Sequence, residues 1–151
     1  MKTVSMKMMA MQTLAWAAVL AGTIMFNTAV YAAEKEAAPV NIPDTVAAIW
    51  QSVDQETGGM ATQIQAGKLG ELHQHAFAIR DLVAALPARS ASLPPDKLAK
   101  VKSDSKFVAT LAQRLDAAGD ANNKAAAESN FEKLRDLLKS IKSNYSDAAL
   151  K

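Results

Sequence analysis

This sequence predicts an all-α fold, an up-down-up-down antiparallel four-helix bundle, on three observations. Four stretches carry apolar residues at steps of three and four, the period of a helix that buries one face. Glycine and proline punctuate short gaps between these stretches, so sequence neighbours must turn back on one another. No run alternates apolar and polar residues over the length of a strand.

The chain begins with a segment that is read apart from the fold. Lys2 and Lys7 give a positive start, Leu14 to Phe26 is an uncharged apolar core, and Val30-Tyr31-Ala32 presents small side chains at the first and third positions before a cut. This is the layout of a secretory signal peptide, residues 1–32, cleaved after Ala32, and it predicts a periplasmic protein. The rival is an uncleaved anchor over Met8 to Ala33, with Gln12, Asn27 and Thr28 as its polar members. The short apolar core and the small-residue site favour cleavage, which leaves no membrane span. With no cysteine in the chain, attachment through a lipidated cysteine is excluded, as are disulfides and thiol redox chemistry.

Removing 32 of the 151 residues leaves 119, one domain by length and enough for a single core. Two of the 17 Lys and Arg residues lie in the leader, so 15 basic residues face 15 acidic ones and the exported chain is formally neutral. Without a basic patch, nucleic acid is not an expected partner.

Residues 33–43 form a charged, proline-containing lead-in expected to be flexible. The bundle is expected over 44–146. Pro43-Asp44 marks the first start. Val46, Ile49, Trp50, Val53, Thr57, Met60 and Ile64 then make one apolar stripe. Gly58-Gly59 falls inside this helix, where each Gly costs roughly 0.5–1 kcal/mol against Ala, so a soft spot or bend is expected. A break there would leave three regular helices. Ala66-Gly67 ends the helix. Leu72, Ala76, Ile79, Val83 and Leu86 are the second stripe, widened by Phe77 and Leu82, and Pro87 is expected to stop it. After a loop over Ala88 to Leu93, Pro94-Pro95-Asp96 opens the third helix. Its stripe is Leu98, Val101, Val108, Leu111 and Leu115, with Phe107 at the flank, and Gly119 is expected to end it. Asp120 is the expected cap of a fourth helix carrying Phe131, Leu134, Leu138, Ile141 and Tyr145. Residues 147–151 are expected to be a frayed tail. Arg80-Asp81-Leu82 and Arg135-Asp136-Leu137 are a faint internal echo of two hairpins.

The two histidines, His73 and His75, are the distinctive side chains. Two residues apart on a helix they point about 200° apart and cannot chelate one ion together. Glu71 and His75, four apart, share a face. Met60 is the only methionine outside the leader. The candidate metal ligands are therefore His73, His75, Glu71 and Met60, with Asp116, Glu128 or Asn130 as further donors. Thioether with imidazole favours copper, and imidazole with carboxylate suits zinc or nickel. The bland alternatives are surface histidines without a ligand and a methionine that merely packs.

The architecture resembles small exported haem bundles of the cytochrome b562 and cytochrome c′ type in length, connectivity and leader. Those sites need a Cys-x-x-Cys-His run, or an early Met in the first helix and a late His in the fourth. This chain has neither, so no haem is expected. Leu72-His73-Gln74-His75-Ala76-Phe77-Ala78-Ile79-Arg80-Asp81-Leu82, with Leu115-Asp116-Ala117-Ala118-Gly119-Asp120-Ala121, resembles a group of small exported helical proteins that accompany bacterial heavy-metal efflux systems. That resemblance implies a periplasmic role in metal handling and a metal-efflux component as partner. It carries over no ligand set.

No phosphate loop, His-Glu-x-x-His run or nucleophile elbow occurs, so no enzyme is expected. Two functions follow. One is a non-enzymatic accessory protein that binds a transition metal or assists heavy-metal efflux. The other is a metal-independent interaction module, adaptor-like or chaperone-like, with a patch that includes Trp50 or Phe77. The sequence leaves oligomeric state open.

Overall fold

The structure is a computed structural model that describes residues 39–151. The leader and most of the lead-in lie outside the described residues, and so does the cleavage site. The elements are α1 (Val46–Ala66), a 3-10 turn (Leu69–Glu71), α2 (Leu72–Arg89), α3 (Pro95–Asp120), α4 (Lys124–Lys142) and a final 3-10 turn (Asp147–Leu150). No strand occurs among the described residues. No helix among them is long and apolar enough to cross a membrane.

Most residues of the four stripes form the core, while Thr57 of α1 and Leu98 of α3 are only half-buried and stand outside it. Ile49, Trp50, Val53, Met60 and Ile64 of α1 meet Leu72, Ala76, Phe77, Ile79, Leu82, Val83 and Leu86 of α2, and both join the stripes of α3 and α4 in one cluster. At roughly 1.5–3 kcal/mol for each large side chain taken out of water, this burial is the main drive to fold. Helix α2 packs against α1 and α3, and α3 packs against α4, while α1 and α4 meet less than these neighbouring pairs.

Local chemistry sets the boundaries, with several departures from expectation. Thr45, next to the expected start at Pro43-Asp44, caps α1, its Oγ1 accepting from Ala48 N at 3.1 Å. Helix α1 runs unbroken through Gly58-Gly59 because buried residues on both sides, Val53 and Met60, hold it. It ends at Gly67, whose φ of 70° is left-handed and free of a Cβ penalty. Pro87 does not stop α2, which continues to Arg89. The proline leaves the Val83 carbonyl without its helical N–H. The Ser105 hydroxyl of α3 lies 3.4 Å from that carbonyl, while also 2.7 Å from Val101 O. Gly119 does not terminate α3, which runs to Asp120. Its lack of a side chain serves packing instead, since a Cβ there would lie 2.5 Å from the Leu69 carbonyl oxygen. The turn is made by Asn122, with φ 48°, and Asn123 rather than Asp120 caps α4, its Oδ1 accepting from Ala126 N at 3.0 Å. The chain end, expected to fray, forms the 3-10 turn Asp147–Leu150, with Leu150 packed on the core.

Candidate functional site

The most constructed polar feature lies between α1 and α2. Position 75 falls on the flank of the α2 stripe, so its imidazole reaches α1 at the edge of the core. His75 Nδ1 donates to Glu56 Oε2 at 2.7 Å, and the two side chains are 23% and 33% exposed. The ring lies directly against the α1 backbone. A Cβ on Gly59 would sit 2.6 Å from His75 Cε1 and 3.1 Å from each ring nitrogen. Glycine at position 59 therefore makes room for the imidazole, and Glu56, one turn earlier, fixes the ring through Nδ1. Nε2 has no hydrogen-bond partner among the described residues. A groove of about 500 Å³ opens beside the pair, lined among others by Asn41, Ser52, Gln55 and Gln74. Ser52 in this groove donates to Ala48 O at 3.1 Å.

The other candidate ligands have contacts of their own, and His73, like His75, has one ring nitrogen bonded. Glu71 is the last residue of the 3-10 turn and the N-cap of α2, with αR backbone. Its Oε2 accepts from Gln63 Nε2 at 2.6 Å. His73 Nδ1 donates to Gly70 O at 3.0 Å. Met60 is fully buried in the core. Asn130 donates to Ala126 O at 2.9 Å, and Glu128 lies 3.9 Å from Lys124. Among the described residues no group of three or more His, Asp or Glu is arranged to hold an ion.

A second feature follows the seam between α1 and α4. Two grooves of about 580 and 570 Å³ share Thr57 and Arg135 and so run on from one another. At one end Lys142 bonds Asp54 at 2.9 Å and lies 5.3 Å over the Trp50 ring. Trp50 meets Tyr145 edge-on at 6.1 Å. The Tyr145 hydroxyl bonds Ser90 Oγ at 2.8 Å, and Ser90 donates its own proton to Leu86 O at 2.6 Å. Burial pushes the Tyr145 hydroxyl above its ordinary pKa of 10.0, and the Ser90 bond pulls the other way with less effect. Trp50 and Phe77 are 2% and 1% exposed, so neither forms the surface patch expected of them; among the described residues Phe107, at 59%, is the exposed large apolar side chain.

Sequence reasoning missed Glu56 and Gly59. The signal for Gly59 was a helix-interior glycine beside the buried Met60, which marks a close approach of another group. Nothing in the sequence pairs position 56 with 75, which lie on different helices. Comparison of the chain with protein-family models, with curated proteins and with solved structures gives no match.

Proposed function

We propose that this chain is an exported, non-enzymatic periplasmic accessory protein that offers one oriented imidazole to a transition metal and assists heavy-metal efflux. The observation that carries the reading is the Glu56–His75 pair seated on Gly59. A carboxylate that accepts from one ring nitrogen orients the ring and aims the other nitrogen, as second-shell carboxylates do for metal-bound histidines. One imidazole with water or groove oxygens suits exchange of an ion rather than its storage, and copper, nickel and zinc all accept such a donor. The helices follow the up-down-up-down antiparallel order in this reading. In its support, Asp44 before α1 lies 3.9 Å from Arg89 at the end of α2, and Gly119 near the end of α3 abuts Leu69 just before α2. Removal of residues 1–32 on export completes it.

The test is calorimetric titration of copper, nickel and zinc into the purified protein. His75→Ala abolishes the binding, His73→Ala leaves it, and Glu56→Gln weakens it by about tenfold. Binding that survives His75→Ala, or none in the wild type, overturns the reading. The open α1–α4 seam favours a second reading, a metal-independent interaction module. A periplasmic partner retained equally by wild type and His75→Ala, with no metal bound by either, would carry that one.

A further inference from the structure

The exposed edge of α4 carries a charge pattern that reads the same in an antiparallel copy of itself. Glu128, Glu132, Arg135 and Lys139 are spaced four, three and four residues apart, within one narrow strip of the helix surface. All four are exposed, and all four line the α1–α4 grooves. The middle of the α1 wall, Thr57, Gly58 and Ala61, is small, flanked by Trp50 and Asp54 on one side and Ile64 and Gln65 on the other, and a Cβ on Gly58 would meet nothing within 4 Å. The seam is therefore both open and lined by a row of two negative charges followed by two positive ones.

We infer that this seam is the contact between two copies of the chain, related by a two-fold axis that crosses α4 between Lys133 and Leu134. About that point the row is self-complementary. Glu128 of one copy faces Lys139 of the other, Glu132 faces Arg135, and both contacts recur with the copies exchanged. A parallel partner would instead set like charges together. An isologous interface of this kind closes on itself and stops at a dimer. The row spans about 16 Å of helix, long enough to fix register as charges flanking an antiparallel coiled-coil seam do. The formally neutral exported chain brings no net repulsion to the encounter. Within a single copy Glu132 already holds Arg135 at 3.1 Å, while Glu128 reaches Lys124 only at 3.9 Å. Glu128 and Lys139 are thus the charges with most to gain from a second copy. The inference does not rest on His75.

Sedimentation equilibrium of the purified protein reads it directly. The wild type sediments as a dimer at low salt and dissociates as salt screens the row. Arg135→Glu with Lys139→Glu gives an all-acidic row, and Glu128→Lys with Glu132→Lys an all-basic one. Each double variant alone is monomeric, its dimer constant weakened by more than tenfold. Mixed in equal amounts, the two form a heterodimer. Because recovery on mixing requires both variants to be folded, it separates lost contact from lost structure. A wild type that is monomeric at high micromolar concentration in low salt, or variants that stay apart when mixed, would overturn the inference. Dimers that ignore both salt and the reversals would place the interface elsewhere and overturn it equally. Metal binding plays no part in the readout, so its failure leaves the His75 reading standing, and the reverse.

Discussion

A β-carbon added at Gly58 would meet nothing within 4 Å, whereas one at Gly59 would sit 2.6 Å from His75 Cε1. Both glycines lie inside α1 and both forfeit helix propensity, so their alanine variants separate propensity from contact. Gly58→Ala should stabilise the protein by roughly 0.5–1 kcal/mol, which is the ordinary gain at an exposed helix position. Gly59→Ala should fall short of that, because the new methyl group drives the imidazole away from Glu56 and costs the charge-assisted bond. In a His75→Ala background the ring is gone and the two alanines should become equivalent. Urea midpoints of the five variants close this cycle. A Gly59→Ala gain equal to that of Gly58→Ala in the wild-type background would mean that the ring is not held against α1. At this scale the histidines were legible as the distinctive groups, but their partner was not. Glu71, the partner that helical spacing offered, caps α2 and accepts from Gln63 of α1 instead. Glu56 comes from another helix, and its register against α2 is set by Ile49, Val53, Met60 and the side chains they meet.

The helices themselves were legible because the apolar period is strong. Every stripe residue proposed for α2 and α4 is buried, as are Ile49, Trp50, Val53, Met60 and Ile64 in α1. Their ends were less so, since an end depends on what the chain meets there. Pro87 reads as a stop when only its missing N–H is considered, yet Leu86 and Ser90 on either side are buried and hold the last turn of α2 in place. Gly119 reads as a terminator by type, yet its use is steric. The Leu69 carbonyl approaches to where a Cβ would be, 2.5 Å away, and Leu72 Cβ lies 3.7 Å from that point. Unlike the imidazole at Gly59, a backbone carbonyl cannot rotate out of the way. Gly119→Ala should therefore push α3 from the start of α2 and cost about 1–3 kcal/mol, the usual cost of overpacking a fitted site. For a domain of this size that lowers the melting temperature by about 4 °C or more. A melting temperature raised by the alanine, as helix propensity alone would have it, would show that the close approach does not hold in solution.

For the molecule as a whole, closure falls to the buried contacts at the ends of α2 and α4. The stretch after α4 returns Tyr145 to the core, edge-on to Trp50 of α1 and bonded to Ser90 at the end of α2. This one residue thereby joins three helices, including the α1–α4 pair, which otherwise meets less than the other neighbouring pairs. It also couples the fold to alkaline pH. Burial holds the folded hydroxyl above its ordinary pKa of 10.0, and the unfolded chain titrates at that ordinary value. Below pH 10 both states keep the proton and the tie is fully present. As pH rises past that point the unfolded chain releases its proton first, so the folded state binds more protons and loses ground. The loss approaches about 1.4 kcal/mol per pH unit until the folded pKa is reached. Tyr145→Phe removes both the titration and the Ser90 bond. It should be less stable than the wild type near neutral pH by about 1 kcal/mol, the net worth of one hydrogen bond. Above pH 10 its stability should fall less steeply, so the gap between the two proteins narrows with each step in pH. Urea midpoints for both proteins at a series of pH values from 8 upward measure this, and parallel curves across that range would show that the hydroxyl is not held neutral by the fold.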